Sequence, residues 1–349
     1  MSSRRAILRR TAKTESTHAG LWLDKYLYAR KETWQAPRDN PDASPPDTTL
    51  VKQCSAIPEP AAYQRQFERW VETLYDIGVK PRLAAVNGRL AIGLGNETVI
   101  ETGATIHQTY SVPIIRGSTL KGLASSYAHQ RLQDTVWQKG NDAHNMLFGT
   151  ISSAGFVTFF DALPQPGTWK LRPDVLTVHH PGYYRGERNS PPADWDNPNP
   201  VSFLTVTGNF LIALHAPDAP AWADVGYGIL SKALQEMGIG AKTSSGYGRM
   251  RLRANSIKRP FKLQKGAFIR AVVTEMESGD AVLHLYPKFA RFLPPDKEIY
   301  IYIPASRMAG RIYRTDSEAA CIIEDVYEDE YEFVLTCRPA TKEEKQQNA

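Results

Sequence analysis

Apolar positions change period several times along this chain, and each change predicts an element. Over residues 61–78, Tyr63, Phe67, Trp70, Val71 and Leu74 recur on one stripe while Gln64, Arg69 and Glu72 fall off it, the spacing of an amphipathic helix. Residues 83–94 and 97–110 read as two strands joined by hairpin-type turn residues at Gly93–Asn96. A helix is predicted over 118–133 and a short strand over 155–161. A strand over 201–214 follows, with Phe203, Val206, Phe210 and Leu211 as its apolar surface, then a helix over 227–237 and a strand over 249–254. Strand–helix–strand twice over predicts an α+β, ferredoxin-like unit.

Beyond Arg259-Pro260 the helical periods stop. Short alternating runs at 267–274, 280–285, 299–303, 320–325 and 332–337, separated by turn residues, predict a small all-β, OB-like barrel. The expected organisation is a basic, mobile N-terminus over 1–17, a core over 18–258, a barrel over 262–340 and a disordered tail over 341–349. A Pro-rich loop is expected near 36–60, carrying Pro37, Pro41, Pro45 and Pro46, and an exposed loop over 181–200.

Composition narrows the function classes. The chain has 349 residues, 42% hydrophobic and 10% aromatic, enough for real cores. It holds no apolar run of about 18 residues, so no membrane span is expected. Arg4, Arg5, Arg9 and Arg10 are not followed by an apolar segment of the kind a secretory signal needs. Cys54, Cys321 and Cys337 form no CxxC pair, which points to reduced thiols and a cytoplasmic protein. A net charge of +5 permits nucleic-acid binding without requiring it.

Two segments carry candidate chemistry. Residues 238–249 hold Gly238, Gly240, Gly246 and Gly248, with Lys242, Thr243, Ser244, Ser245 and Arg249 between and after them. Glycine lets backbone approach a bulky anion, and exposed amides, hydroxyls and cations can then hold phosphate oxygens. The run matches neither a Walker loop nor GxGxxG, because Thr243 stands where the third glycine would be. In residues 112–122, Arg116-Gly117 precedes Ser118 and Thr119 at an expected helix start. Ser118 is the candidate N-cap, and Lys121 is placed in the first turn, where the helix dipole disfavours a cation unless a phosphate lies nearby.

His179 and His180 invite a metal or acid–base role. Adjacent residues of a strand point to opposite faces, however, and no HxH, HExxH or cysteine cluster accompanies them. Tyr183, Tyr184 and Arg185 follow directly, a set suited to base stacking and phosphate contact.

Together the two glycine-bearing segments resemble the RAMP superfamily of CRISPR proteins. That family ends its core in a glycine-rich loop of the form of Gly238–Arg249 and carries a motif close to IPGSSLKG ahead of its first long helix, here Ile115–Gly122. Gly93-Leu-Gly95 and Glu101-Thr-Gly103 also look familial, and Gly20–Tyr26 with Thr177–Tyr184 look like a subunit of the type III-B Cmr effector complex. The resemblance spans roughly residues 18–256, and it departs at Arg116, where the family usually has proline. It implies a ferredoxin-like, RRM-related core packed beside other Cmr complex subunits. It implies contact with CRISPR guide RNA toward its 3′ end and with the guide–target RNA duplex, and an antiviral role without catalysis. The residues expected at RNA are Arg116, Ser118, Thr119, Lys121, His179, His180, Tyr183, Tyr184, Arg185, Gly240, Lys242, Thr243, Ser244, Ser245, Gly246 and Arg249. No cofactor, metal or membrane is expected. Two alternatives stay open: a metal-independent endoribonuclease of the same superfamily with histidine as base, and a protein–protein adaptor recruiting through the barrel.

Overall fold

The computed structural model describes residues 7, 10–14, 16–29, 34–36, 40, 42–178, 183, 186, 191–193, 199–260, 263–290, 292–294, 297–308, 310–329 and 331–348. Two compact units result, Met1–Arg259 and Pro260–Ala349. Most of the expected loop over 181–200 and of the expected mobile segment over 1–17 lies outside the described residues.

In the first unit, α1 (Ala19–Lys25) is capped by His18, whose Nδ1 accepts the Leu21 amide at 3.1 Å. α2 (Pro46–Ser55) occupies part of the stretch expected to be a Pro-rich loop. Pro46 sits at the first helical position, where its missing N–H is not needed and its φ is already helical. Leu50, Val51 and Cys54 then bury one face. α3 (Ala62–Asp76) matches its predicted stripe, with Tyr63, Phe67, Val71 and Leu74 buried and Trp70 half-buried. The Tyr63 hydroxyl donates to the Pro164 carbonyl at 2.6 Å.

The remaining elements of this unit are β1 (Arg82–Val86), α4 (Gly117–Arg131), α5 (Asp142–Phe148), β2 (Thr158–Phe159), β3 (Leu163–Pro164), β4 (Lys170–Val178), β5 (Asn199–Thr207), β6 (Asn209–Ile212), β7 (Leu214–His215), α6 (Pro220–Glu236) and β8 (Met250–Ser256). The main sheet has the order β3-β6-β1-β8, every neighbour antiparallel. β4 and β5 form a separate hairpin in register from Lys170↔Thr207 to Val178↔Asn199. α4 packs on α6, and α6 packs on β8.

Three expectations are corrected here. The hairpin over 83–110 does not form: β1 ends at Val86, and beyond it the chain pairs through isolated bridges such as Leu90↔Val206 and Ile106↔Pro113. The strand over 201–214 breaks at Gly208, where φ is +119° and a Cβ would lie 2.6 Å from the Thr168 carbonyl oxygen. The helix over 227–237 begins earlier, at Pro220, again with proline in the first turn.

The second unit is a closed barrel of β9 (Phe268–Glu277), β10 (Asp280–Leu285), β11 (Glu298–Ile303), β12 (Glu318–Glu328) and β13 (Glu332–Pro339), in cyclic order β10-β11-β13-β12-β9. β11 and β13 run parallel, and the other pairs are antiparallel. Alternation builds its interior: Phe333, Leu335 and Cys337 of β13 point in, while Val334 and Thr336 do not. A single helical turn, α7 (Pro287–Ala290), interrupts the strands. The tail expected to be disordered carries α8 (Lys342–Gln347), fixed by a capping box in which Thr341 Oγ1 accepts the Glu344 amide while Glu344 accepts the Thr341 amide. Arg338 also grips Glu344 through two hydrogen bonds of 2.6 and 3.0 Å, and this holds the Glu344 carboxyl down at about 2.

Candidate functional site

The glycine-rich loop is held by its own chain. Gly238, Gly240, Gly246 and Gly248 all have positive φ, and so does Lys242 at +59°. A Cβ on Gly248 would sit 1.8 Å from the Ile239 carbonyl oxygen, and one on Gly240 would sit 2.3 Å from that of Ala91. The Ala241 amide donates to Ala91 at 2.8 Å and the Gly248 amide to Arg89 at 2.8 Å. The close approach expected toward a phosphate is therefore spent, at Gly240, on the protein's own backbone. Gly246 differs, since nothing lies within 4 Å of the position its Cβ would take. Thr243–Ser245 form a 3-10 turn at the loop tip, with Ser244, Ser245 and Gly246 exposed.

Beside the loop, the Tyr247 hydroxyl and Arg89 Nη1 both donate to Asp174 Oδ2, at 2.8 and 2.9 Å. Burial, then this carboxylate, pushes the Tyr247 phenol above its ordinary value. Asp174 thus neutralises Arg89 and fixes the loop to β4.

At the start of α4 the N-cap position is Arg116, not Ser118 as expected, and Arg116 makes no side-chain cap. The cap is Asp161, whose Oδ1 accepts the Gly117 amide at 2.7 Å. Gly117 is required there because a Cβ would meet the Phe159 carbonyl oxygen at 2.0 Å. Arg116, Ser118 and Thr119 are exposed; Lys121, the fifth helical residue, is half-buried.

A backbone ladder joins the two segments. Ala241 bonds to Ala91, Thr105 donates to Ile92 at 3.1 Å, Ile114 donates to Thr105 at 3.1 Å, and Ile115 and Ala162 exchange bonds of 3.1 and 2.8 Å. Three such steps separate the loop from the segment leading into α4, roughly 15 Å at ordinary strand spacing. Of the third group, His179, His180, Tyr184 and Arg185 lie outside the described residues. They follow directly on β4, which ends at Val178, and Tyr183 is 55% exposed.

Sequence reasoning missed two cations. Along β8, Met250 and Leu252 are buried while Arg251 and Arg253 are exposed, an alternation already visible in Met250-Arg-Leu-Arg253. With Arg249 they line a cavity of about 620 Å³ that also touches Ala85, Asn87 and Gln235. The ion pairs of this unit, Arg82–Asp224, Arg89–Asp174 and Arg259–Asp76, occupy other cations among the described residues.

Ser125 Oγ and His144 Nε2 share a hydrogen bond of 2.9 Å, but His144 is buried and its Nδ1 has no partner that would orient it. Among the described residues no three His, Cys, Asp or Glu side chains gather as metal ligands. None of the described helices is long and apolar enough to cross a membrane.

The RAMP superfamily model matches residues 86–251, a stretch that contains the loop, the α4 start and the main-sheet strands β3 and β6. Residues 86–251 belong to the RAMP superfamily. Over a wider span the chain is similar to the CRISPR system Cmr subunit Cmr6 of Pyrococcus furiosus, at 27% identity over 60% of this chain and 78% of that one. It is also 28% identical to the Cmr6 subunit of Saccharolobus solfataricus, over 50% of this chain and 56% of that one. Among solved structures it is similar to the type III-B Cmr-beta complex bound to cognate target RNA, at 21% identity and a TM-score of 0.47 over 61% of this chain and 74% of that one. Crystalline Cmr6 from Pyrococcus furiosus matches at 28% identity and a TM-score of 0.34, over 50% of this chain and 98% of that one. The match to the RAMP superfamily thus covers 166 of the 349 residues, and beyond it the likeness is to Cmr6 subunits of CRISPR systems.

Proposed function

We propose that this protein is a non-catalytic subunit of a type III-B Cmr ribonucleoprotein, holding guide RNA toward its 3′ end and the guide–target duplex. The observation that carries this is a set of exposed or half-buried cations without carboxylate partners among the described residues: Arg116, Lys121 and Lys242 on the two joined segments. Phosphate oxygens would complete them, with Ser118, Thr119, Thr243, Ser244 and Ser245 as hydroxyl donors. Similarity to Cmr6 subunits supports the complex as the setting. The order β1–α4–β3–β6–α6–β8 along the chain, with β3-β6-β1-β8 across the sheet, supports a ferredoxin-like core. The cyclic order and parallel β11–β13 pair support an OB-like barrel.

The barrel favours a second, separate role in recruiting protein. Residues 260–349 carry 12 Lys and Arg against 15 Asp and Glu, whereas residues 1–259 carry 30 against 22. A net acidic barrel repels phosphate. The acidic run at 324–330 is not a solvated loop throughout: Glu324 pairs with Arg307 at 3.1 Å and Glu328 with Lys297 at 2.9 Å.

The test is reconstitution of the full chain with guide RNA and its complex, followed by crosslinking, alongside incubation of the pure chain with labelled RNA in chelator. Crosslinks to the 3′ part of the guide without cleavage are expected. Metal-independent cleavage that disappears in His179→Ala, His180→Ala or Ser125→Ala would establish the nuclease instead.

A further inference from the structure

The glycine loop was the expected phosphate cradle, yet Gly240 and Gly248 press on the chain's own carbonyls and leave a ligand no close approach there. The cations with open surroundings lie next to it, on β8. Strand alternation sends Met250 and Leu252 into the core, so Arg251 and Arg253 share the opposite direction, and the half-buried Arg249 stands directly before the strand. At about 3.4 Å rise per residue, alternate positions repeat every ~6.8 Å. Successive phosphates of an extended single strand repeat over a similar length. β8 is also the edge strand of its sheet, since it pairs with β1 alone.

The surroundings suit a polyanion. The concavity of about 620 Å³ brings Arg249, Arg251 and Arg253 together with Asn87 and Gln235, and no carboxylate residue lines it. Its floor at Ala85, paired with Arg251, is small, which leaves room between the guanidinium groups and the sheet. Arg249 is braced by the last turn of α6, its Nη1 lying 3.5 Å from the Gln235 carbonyl. Three guanidinium groups in one concavity repel each other unless an anion lies among them. Charged residues on an edge strand also discourage strand pairing, but one cation does that, and it needs neither a concavity nor amides.

We propose that Arg249, Arg251 and Arg253 form a track for the sugar–phosphate backbone of single-stranded RNA, contacting successive phosphates without reading sequence. This rests on the RNA-holding reading above and moves the main electrostatic contact from the loop tip to β8. Guanidinium forks grip phosphate oxygens in pairs, and Asn87 and Gln235 line the same concavity as polar residues.

The experiment measures fluorescence anisotropy of a labelled oligouridylate with the full chain across a potassium chloride series. Arg251→Gln/Arg253→Gln is expected to flatten the log–log salt slope by about 1.4, or about 0.7 for each lost contact, and to weaken binding at 0.1 M salt roughly 25-fold. Arg251→Lys/Arg253→Lys is expected to keep most of the slope while losing affinity, a split that a merely solubilising role does not produce. Lys242→Gln is expected to change either quantity less. Each variant's melting temperature is taken, and an unfolded glutamine pair leaves the lysine pair to decide. If the wild type binds RNA and the glutamine pair binds with the same affinity and slope, the track is wrong while the RNA-holding reading stands. If the wild-type chain binds no RNA alone or in the assembled complex, both fall. Displacement of the RNA by polyglutamate at equal charge would show a surface for acidic protein and would overturn the assignment to RNA.

Discussion

Asp161 Oδ1 accepts the amide of Gly117 at 2.7 Å, so the N-terminus of α4 is served by the protein's own carboxylate. A helix start with free amides attracts phosphate, whereas one already holding an aspartate places a negative charge where the phosphate would sit. Asp161→Ala is expected to lose about 1 kcal/mol as a lost cap, a fall of roughly 2–4 °C in melting temperature for a unit of this size. RNA affinity is expected to hold or rise. A clear loss of affinity in a variant that still melts cooperatively would mean that Asp161 positions the α4 start for RNA rather than standing in for it.

The four glycines of the 238–249 loop should separate in their tolerance. Gly246→Ala meets open space and bears only the cost of φ +88°, roughly 1–3 kcal/mol. Gly248→Ala and Gly240→Ala add backbone overlaps at 1.8 and 2.3 Å, which the loop can relieve only by breaking its bonds to Arg89 and Ala91. Thermal melts should rank Gly246→Ala above both in stability. Equal losses at all three positions would show that the loop shifts as a whole and that the contacts with Ala91 and Ile239 are not what fix it.

How far the sequence disclosed this arrangement depended on whether a residue's role was local. The barrel strands were legible to within a few residues because alternation such as Phe333, Leu335, Cys337 reports its own inward face. The stripe of α3 was legible for the same reason. The expected hairpin over 83–110 was legible only in part: Thr105 and Gly103 do bond back to Ile92 and Leu94, but Leu90 pairs with Val206 and Thr105 also with Ile114, partners outside the two predicted strands. α2 was hidden by the prolines that open it. At the site, the glycine motif was legible but its physical meaning was not: whether a glycine faces a phosphate or Ala91 is a tertiary fact. Arg251 and Arg253 were open to view as polar partners of Met250 and Leu252, yet a strand's alternation was read only for its buried half.

Acid should weaken the first unit through two imidazoles. Burial holds His144 below its ordinary value, and His129 and Lys139 press the same way against the Ser125 hydrogen bond. His107 is lowered as well, again chiefly by burial, with its Nδ1 accepting the Thr109 amide. A lowered imidazole stays neutral in the fold while the unfolded chain protonates near pH 6.5, so the unfolded state binds more protons. Stability is then full above about pH 6.5, falls as pH drops below it, and levels off once the folded histidines also protonate. His144→Gln, which keeps a polar partner for Ser125, should show a smaller fall in melting temperature between pH 7.5 and 5.5 than the wild type. An unchanged fall would exclude His144 as its source.

The three cysteines allow the two units to be followed separately. Cys54 lies in α2, and Cys321 and Cys337 lie on β12 and β13 in the barrel interior; all three are free and buried. Burial pushes the thiols of Cys54 and Cys321 up to about 12 and raises Cys337 as well. The thiolate is the reactive form, so native thiols of this kind should resist alkylation at neutral pH. Each should become reactive only when its own unit opens, because neither core can expose a cysteine by a local side-chain motion. The cores are distinct sets of residues, one running from Ala19 to Leu252 and the other from Ile269 to Cys337. Pulsed alkylation across a urea series, with mass spectrometry to locate the label, should therefore show Cys321 and Cys337 labelling together and Cys54 at a different urea concentration. Labelling of any of the three without denaturant would mean that the core around it opens in the native state. Simultaneous labelling of all three in the full chain, together with a molten state for residues 1–259 produced alone, would mean that the barrel is needed for the first unit to fold and that Pro260 is not a boundary of stability.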